Sequence, residues 1–198
     1  MIELPETPAP NGATPALVDY GGTQRGALGA ALRVNRLGSH YRVALTFPPF
    51  ENETDGRVFV SRLIRAKRRG LRIAFPLLGV DQGGAGTPVL DGNMQAGLSI
   101  KVRGLTPGYT CREGFWLSIR RAGDGRHYLY NCSSEITAGL DGRAQIAIEP
   151  MLRWPHVDGD QVHLVRPMIE GPVDGDEQAW TLALGGFVGV EVSIEEAG

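Results

Sequence analysis

Short segments in which apolar and polar residues alternate recur along this sequence, and turn residues separate them. Residues 41–47 read YRVALTF, so that every second side chain is large and apolar, which is the period of a strand with one buried face. The Asp-Gly pairs at 124–125 and 141–142 suit tight hairpin turns. We therefore predict a mainly β chain, a barrel or sandwich of about 8–10 short antiparallel strands. Four later segments share the alternation: LSIKVRG (98–104), GFWLSIRR (114–121), GRAQIAIE (142–149) and FVGVEVSI (187–194).

One segment has a different period and predicts a helix. Residues 57–69 carry six positive charges, although the formal net charge of the chain is only -2. We expect an α-helix at about 55–69 that ends at Gly70, because glycine is favoured just after a helix. Five apolar side chains then lie on one side and three arginines on the other. The apolar side comprises Phe59, Val60, Leu63, Ile64 and Ala66, and the basic side comprises Arg62, Arg65 and Arg69.

The basic side of this helix has several possible roles. A solvated face is the simplest, since arginine and lysine stems commonly cover apolar surface. Nucleic-acid binding is less favoured, because no aromatic residues interleave with the charges and the whole chain is not basic. A membrane surface is favoured less still, because the apolar side lacks the tryptophan and leucine content of an interfacial helix.

The ends of the chain and its length indicate the domain organisation. With 198 residues and 42% hydrophobic content, the chain can bury one sizeable core, so we expect a single β-rich domain at 23–198. Residues 1–22 contain four prolines and Asn11-Gly12, which predict an extended arm that is disordered or held by something outside its own core. Residues 79–97 are rich in glycine and are expected to form a long surface loop. The sequence has no apolar run of membrane-spanning length and no secretion signal, so we expect a soluble protein made in the cytoplasm, without a membrane anchor.

Residues that carry out chemistry are sparse. The four histidines share no metal-ligand spacing, and we find no phosphate loop, nucleophile elbow or HExxH motif. The DGD triplets at 158–160 and 174–176 are interpreted as turns, and Cys111 and Cys132 as reduced structural residues. We therefore predict no catalytic, cofactor-binding or metal-binding residues, and a protein that is not an enzyme. A pair of carboxylates for glycoside hydrolysis stays open, although nothing points to a particular pair.

The C-terminal part of the chain is as acidic as the helix is basic. From residue 170 onwards there are seven acidic residues and no lysine or arginine. Opposite charges at two places can form weak salt bridges within one chain, or they can orient copies of the chain in a ring. We hypothesise the second arrangement, in which these charges orient copies of the chain in a ring. The acidic residues are Glu170, Asp174, Asp176, Glu177, Glu191, Glu195 and Glu196.

Two stretches of the sequence resemble a known family. Residues 41–78, from YRVALTFPPF to RVFVSRLIRAKRRGLRIAFPLL, look like the strand, proline, helix, basic turn and strand of siphophage distal tail and related minor tail proteins. Residues 140–164 contain a phrase of the form GxAxxxxxPxLR that these proteins often have, and RAGDGRHYLYNC resembles the hairpin before it. The resemblance extends over roughly 41–171. The phrase is formed here by Gly142, Ala144, Pro150, Leu152 and Arg153.

The resemblance implies a structural virion protein of a long non-contractile phage tail. Such proteins assemble as a ring, commonly a hexamer, between the tail tube and the tail tip or hub, and DNA passes through the lumen. The implied partners are copies of the chain itself, the tail tube protein, the hub and other tail-tip proteins, and the implied location is the virion tail tip. Strand addition by residues 4–16 is expected to form part of the subunit contact. The interface residues that we predict are Leu4, Pro5, Pro8, Pro10, Arg62, Arg65, Arg69, Glu191, Glu195 and Glu196.

Two other functions compete with this expectation. A carbohydrate-binding β-sandwich module of the tail tip, contacting the host surface, would present aromatic side chains as flat platforms. A tail-tip hydrolase is the enzymatic rival, but no set of residues supports it. The chain is also too short to hold the additional carbohydrate-binding-like domain that many distal tail proteins carry. The aromatic residues available as platforms are Tyr109, Trp116, Trp154 and Trp180.

Overall fold

The computed structural model of the chain describes residues 1–26, 29–51, 54–183, 186–188 and 190–196. In these residues the prediction of a mainly β chain with one α-helix is confirmed. The strands are shorter and more numerous than expected, because several pair over only two or three residues. In chain order the elements are β1 (Ile2–Glu3), β2 (Gly12–Val18), β3 (Gly22–Arg25), β4 (Ala31–Val34), β5 (His40–Thr46), β6 (Phe50–Glu51), α1 (Thr54–Arg69), β7 (Leu71–Ala74), β8 (Gly86–Leu90), β9 (Ser99–Leu105), β10 (Thr110–Cys111), β11 (Trp116–Arg120), β12 (His127–Cys132), β13 (Ile136–Thr137), β14 (Ala144–Glu149), β15 (Gln161–His163), β16 (Met168–Gly171), β17 (Thr181–Ala183), β18 (Gly186–Val188) and β19 (Glu191–Glu195).

Six strands close into a barrel in the order β11-β12-β14-β9-β8-β15. Neighbouring strands in it are antiparallel. The alternation seen in the sequence places every second side chain in the interior, and these side chains are completely or almost completely buried. Six of them are Ile100, Val102, Leu117, Ile119, Ile146 and Ile148.

A second hydrophobic core lies outside the barrel, whereas the chain length alone suggested one. Helix α1, the sheet β19-β5-β2 and the sheet β1-β7-β16 enclose it. Strand β12 belongs to both cores, because Tyr128 and Tyr130 point into the barrel while Leu129 packs in the second core. This strand therefore has two buried faces and separates the cores as a shared wall.

The helix lies where the sequence predicted it, from Thr54 to Arg69. Gly70 caps it with a φ of 74° and donates its N–H to the carbonyl of Ala66 at 2.7 Å. Of the predicted apolar side, Ile64 is an exception, with 51% of its surface exposed. Its position is about 40° further around the helix than Val60, which already lies at the edge of the buried arc. No helix in the described part of the chain is long and apolar enough to cross a membrane.

The N-terminal arm is extended, but the expectation that it lacks a partner in its own chain is wrong. Strand β1 pairs in parallel with β7, and β2 pairs antiparallel with β5 along its whole length. Burial of Ile2 favours the first pairing. Strand β2 is the end strand of its sheet, a position that tolerates Pro15 because an edge strand can lack one N–H donor.

The expectation of a continuous loop at 79–97 is also wrong, because β8 lies inside it. Glycines are needed here for a close approach of two strands. A Cβ atom at Gly86 would lie 2.7 Å from the carbonyl oxygen of Gly104, and one at Gly104 would lie 2.8 Å from that of Thr87. The β8–β9 register shifts between Gly86 and Val89, as at a β-bulge. The glycine content therefore marks an irregular barrel strand.

Candidate subunit interface

The predicted arm residues line a cavity between the N-terminus and β7. Leu4, Pro5, Pro8 and Pro10 form one wall of this cavity, which has a volume of about 560 Å³. Pairing between β1 and β7 stops after Glu3, and the arm then diverges from the strand. The opposite wall is formed mainly by apolar side chains: Ile73, Phe75, Leu77 and Met168.

Charged residues attach this arm to the rest of the chain. The Arg62 guanidinium donates to the backbone carbonyl of Glu3 at 3.0 Å. This predicted interface residue of the helix thus contacts the arm of its own chain. Arg72 pairs with the Glu3 carboxylate at 3.3 Å and with the almost completely buried Glu170 at 2.6 Å. Arg166 pairs with Glu6 at 2.8 Å. The arm is therefore held by intramolecular contacts.

The basic residues of α1 fall into two groups. Arg62 and Lys67 contact their own chain: the Lys67 ammonium donates to the carbonyls of Val173 at 3.4 Å and Asp174 at 3.2 Å, and also to that of Gly175. The other four basic residues of α1 are exposed: Arg57, Arg65, Arg68 and Arg69. The predicted interface residues Arg65 and Arg69 are thus accessible to another molecule.

The expectation that Glu196 contacts another copy is wrong, because its side chain is buried. Its carboxylate accepts hydrogen bonds from the backbone N–H groups of Tyr41 at 2.9 Å and Leu129 at 2.6 Å, and it lies 2.9 Å from the Arg153 guanidinium. Burial raises the pKa of this carboxyl group, while Arg153 and the two N–H donors act in the opposite direction. The alternation that buries Val192 and Ile194 on β19 also points Glu196 inward.

The other two predicted C-terminal residues lie at the surface. The Glu195 carboxylate is 2.9 Å from Nε2 of His40, and 32% of its side chain is exposed. Glu191 is exposed on β19. Of the three predicted glutamates, Glu191 is thus the most accessible to a second copy.

The residues of the family-like phrase have structural roles. A Cβ atom at Gly142 would lie 2.5 Å from the carbonyl oxygen of Leu105, so this turn fits closely against β9. Leu152 is buried in the barrel core. Arg153 lies 4.9 Å from the centre of the Tyr128 ring and reaches Glu196 on its other side. The phrase therefore joins the barrel to the second core.

Sequence reasoning missed an exposed hairpin formed by β3 and β4. Among the described residues these strands pair only with each other, from Gly22↔Val34 to Arg25↔Ala31. Nearly all of their residues are exposed, including Leu32 at 64%. Glycines at 21–22, 26 and 29 between two short polar and apolar segments were the signal that could have revealed it.

Asp19 anchors the base of this hairpin. Its carboxylate accepts hydrogen bonds from the N–H of Gly21 at 2.8 Å and from the hydroxyl of Ser39 at 3.1 Å, and it pairs with Arg33. These contacts, led by the Gly21 N–H, lower the pKa of the Asp19 carboxyl group. The base is therefore fixed to Ser39, the residue directly before β5.

The aromatic residues considered for carbohydrate binding do not form one exposed platform. Trp116 packs against the rings of Tyr41 and Phe75, with centroid distances of 4.9 and 4.4 Å. Trp180 is partly buried against the second core, and the Tyr109 hydroxyl donates to the carbonyl of Gln82. Trp154 is 41% exposed, with the Arg121 guanidinium 5.4 Å from its ring centre. The aromatic surface is thus distributed over separate parts of the molecule.

The polar clusters are also structural. His156 and Asp160 are fully buried, and the Asp160 carboxylate contacts Nδ1 of His156 at 2.9 Å and accepts the N–H of Ala122 at 2.8 Å. In the described part of the chain no group of three or more histidine, cysteine, aspartate and glutamate side chains is placed to hold a metal ion.

No protein-family model matches the sequence, and no curated protein matches it either.

Proposed function

We propose that this chain is a structural protein of a long non-contractile phage tail, a distal tail protein whose copies form a ring between the tail tube and the tail tip. The sequence resemblance over 41–171 supports this role, and so does the β-rich fold with one helix. The observation that carries the proposal is the exposed β3–β4 hairpin, which has no other strand partner among the described residues.

An isolated two-stranded hairpin is marginally stable in water. This one extends from a base fixed by Asp19, and it exposes Leu32 and most of its backbone edge. Packing against a neighbouring copy would bury that surface and complete the unpaired strand edges. If the hairpin contacts a different surface of the next copy, the contact is head to tail and can close into a ring.

The exposed charges provide orientation in such a ring. Arg65 and Arg69 on α1 and Glu191 on β19 have opposite signs and lie on different elements of one chain. We expect the arginines to face a neighbouring protein or the outside of the ring. A lumen lined with arginine would bind DNA phosphates and retain DNA that must slide through.

Native mass spectrometry and negative-stain microscopy of the purified protein test this function. We expect a ring with a central hole, and a lower ring population in Leu32→Asp. Burial of one leucine contributes about 1.5–3 kcal/mol, so the substitution should weaken each contact about tenfold or more. The matched control is Leu140→Asp, because Leu140 is 95% exposed in a turn and lies outside the hairpin.

Two results would contradict the proposal. One is a wild-type protein that stays monomeric at every concentration tested. The other is a ring whose stability responds equally to Leu32→Asp and Leu140→Asp, since that would remove the hairpin from the contact.

A further inference from the structure

The two cysteines of the chain meet in the core of the barrel. Cys111 is at the end of β10 and Cys132 at the end of β12, and their Sγ atoms are 3.1 Å apart. Both residues are buried, with exposures of 1% and 0%. The proximity is not evident from the sequence, because 20 residues separate the two positions and no CxxC spacing is present.

The backbone around this pair is held from several sides. The N–H of Cys132 donates to the carbonyl of Phe115 at 2.7 Å, and its carbonyl accepts the N–H of Gly114 at 2.8 Å. Cys111 pairs with Ile136 in the β10–β13 sheet. A disulfide requires an S–S distance of about 2.05 Å, so the sulfur atoms need to move only about 1 Å closer, within the range of small side-chain rotations.

The two thiols are chemically unequal. The hydrogen bond between the two thiols lowers the pKa of Cys111, against the effect of burial. The hydrogen bond with Cys111, together with burial, raises the pKa of Cys132. Cys111 therefore has the greater thiolate character and is the better nucleophile of the pair.

We propose that Cys111 and Cys132 form an intramolecular disulfide when the protein is exposed to a peroxide. The Cys111 thiol first releases its proton to the solvent. Its thiolate then attacks one oxygen of hydrogen peroxide, the O–O bond breaks, and the products are a Cys111 sulfenic acid and a hydroxide ion, which takes up the released proton to give water. The Cys132 sulfur then attacks the Cys111 sulfur, the S–OH bond breaks, and the Cys132 proton leaves with the hydroxide as water. With hydrogen peroxide, two thiols and one peroxide give one disulfide and two waters. The proposal of this disulfide does not depend on the proposed function.

The cross-link closes the chain between β10 and β12 and so constrains the unfolded state. For a loop of this length in a protein of this size, we expect the oxidised form to melt about 5–10 °C above the reduced form. The protein is thus reduced when it is made in a cytoplasm and gains the bond under oxidising conditions.

Peptide mapping of the wild-type protein tests the disulfide directly. The reduced, folded protein is treated with hydrogen peroxide, unfolded in the presence of an alkylating maleimide, and digested with trypsin. We expect a linked pair of peptides, 104–112 joined to 127–143, in place of two alkylated peptides. The linked pair should come from the monomer band of a non-reducing gel and should disappear after treatment with a reducing agent.

Cys111→Ser and Cys132→Ser are the matched controls, and neither should give a linked peptide or a rise in melting temperature with peroxide. Cys111→Ser should retain an alkylated Cys132, whereas Cys132→Ser should hold Cys111 as an unlinked thiol or oxidised acid. The proposal is overturned if the folded wild-type protein keeps two alkylatable thiols after peroxide treatment. It is also overturned if both residues become sulfinic acids without a linked peptide, or if the link joins two different chains. Because the wild-type mapping needs no variant, these outcomes remain decisive even if a serine variant fails to fold.

Discussion

Glu196 connects three parts of the molecule through a single carboxylate. It accepts N–H groups from β5 and β12 and pairs with Arg153, which follows β14. Both charged side chains are almost completely removed from solvent. A buried ion pair is costly to break from one side, because the remaining charge then lacks a partner.

Glu196→Gln should therefore destabilise the protein strongly. The amide keeps the size of the side chain and one acceptor oxygen, but it removes the negative charge that pairs with Arg153 at 2.9 Å. We expect the free energy of unfolding to fall by about 3 kcal/mol, measured by denaturant titration. Glu191→Gln on the exposed side of β19 is the control and should change it by less than about 0.5 kcal/mol. Equal effects of the two substitutions would contradict the structure around Glu196.

His127 makes the stability of the folded protein depend on pH. Burial, and then the nearby His163, Arg72 and Arg120, lower the pKa of His127 from 6.5 to about 3. Between these two pH values the unfolded chain binds a proton that the folded chain does not, so stability falls as the pH decreases through this window. Burial also lowers the pKa of His163, whose ring centroid is 5.0 Å from that of His127.

We predict that His127→Gln flattens this dependence. The neutral amide cannot take up the proton, so the loss of melting temperature between pH 7 and pH 4 should be smaller in the variant than in the wild type. Thermal melts monitored by circular dichroism over this range provide the comparison. A variant with an unchanged pH profile would show that His127 does not contribute.

At the scale of elements, the β8–β9 crossing depends on glycine. Gly104 has a φ of 82°, a conformation that residues with a side chain rarely adopt, and a Cβ atom there would approach the Thr87 carbonyl oxygen to 2.8 Å. The same barrel strand pair has its register shift at this point. Strand β8 lies between β9 and β15 and closes the barrel, so a local disturbance of β8 affects all six barrel strands.

Gly104→Ala should consequently destabilise the barrel by about 1–3 kcal/mol, the usual cost of a strained backbone, with a further contribution from the close contact. Gly84→Ala is the matched control, because nothing lies within 4 Å of a Cβ atom at that position. We expect the control to be neutral or slightly stabilising. Denaturant unfolding of both variants measures the difference, and a neutral Gly104→Ala would argue against the close crossing.

Elements whose pattern is local could be predicted from the sequence, and elements that depend on distant partners could not. The alternation in β5, β14 and β19 and the apolar arc of α1 require only neighbouring residues, so their burial was evident. Strand β8 exists because β15 and β9 lie beside it, and its glycines indicate a loop when they are considered alone. In the candidate interface, the exposure of Arg65 and Arg69 followed from helix periodicity. The alternation of β19 also placed Glu196 on the buried side, but its partner was not evident, because Arg153 is distant in the sequence.

At the scale of the whole molecule, the barrel and the second core are joined by the wall that β12 provides. The arm, which was expected to reach another subunit, is used instead to cover the second core through Ile2 and β2. The proposed ring relies instead on the β3–β4 hairpin, on Arg65 and Arg69 of α1 and on Glu191 of β19. It leaves both cores intact.

The shared wall also determines where the sequence can change. Five of the six residues of β12 are buried, so a polar replacement on either face would leave a polar group inside one core or the other. Related chains should accordingly preserve residue size and polarity through this strand while they diverge at the exposed positions of β3 and β4. The most informative positions for finding distant relatives are thus those in HYLYNC, and the least informative are the exposed positions of β3 and β4.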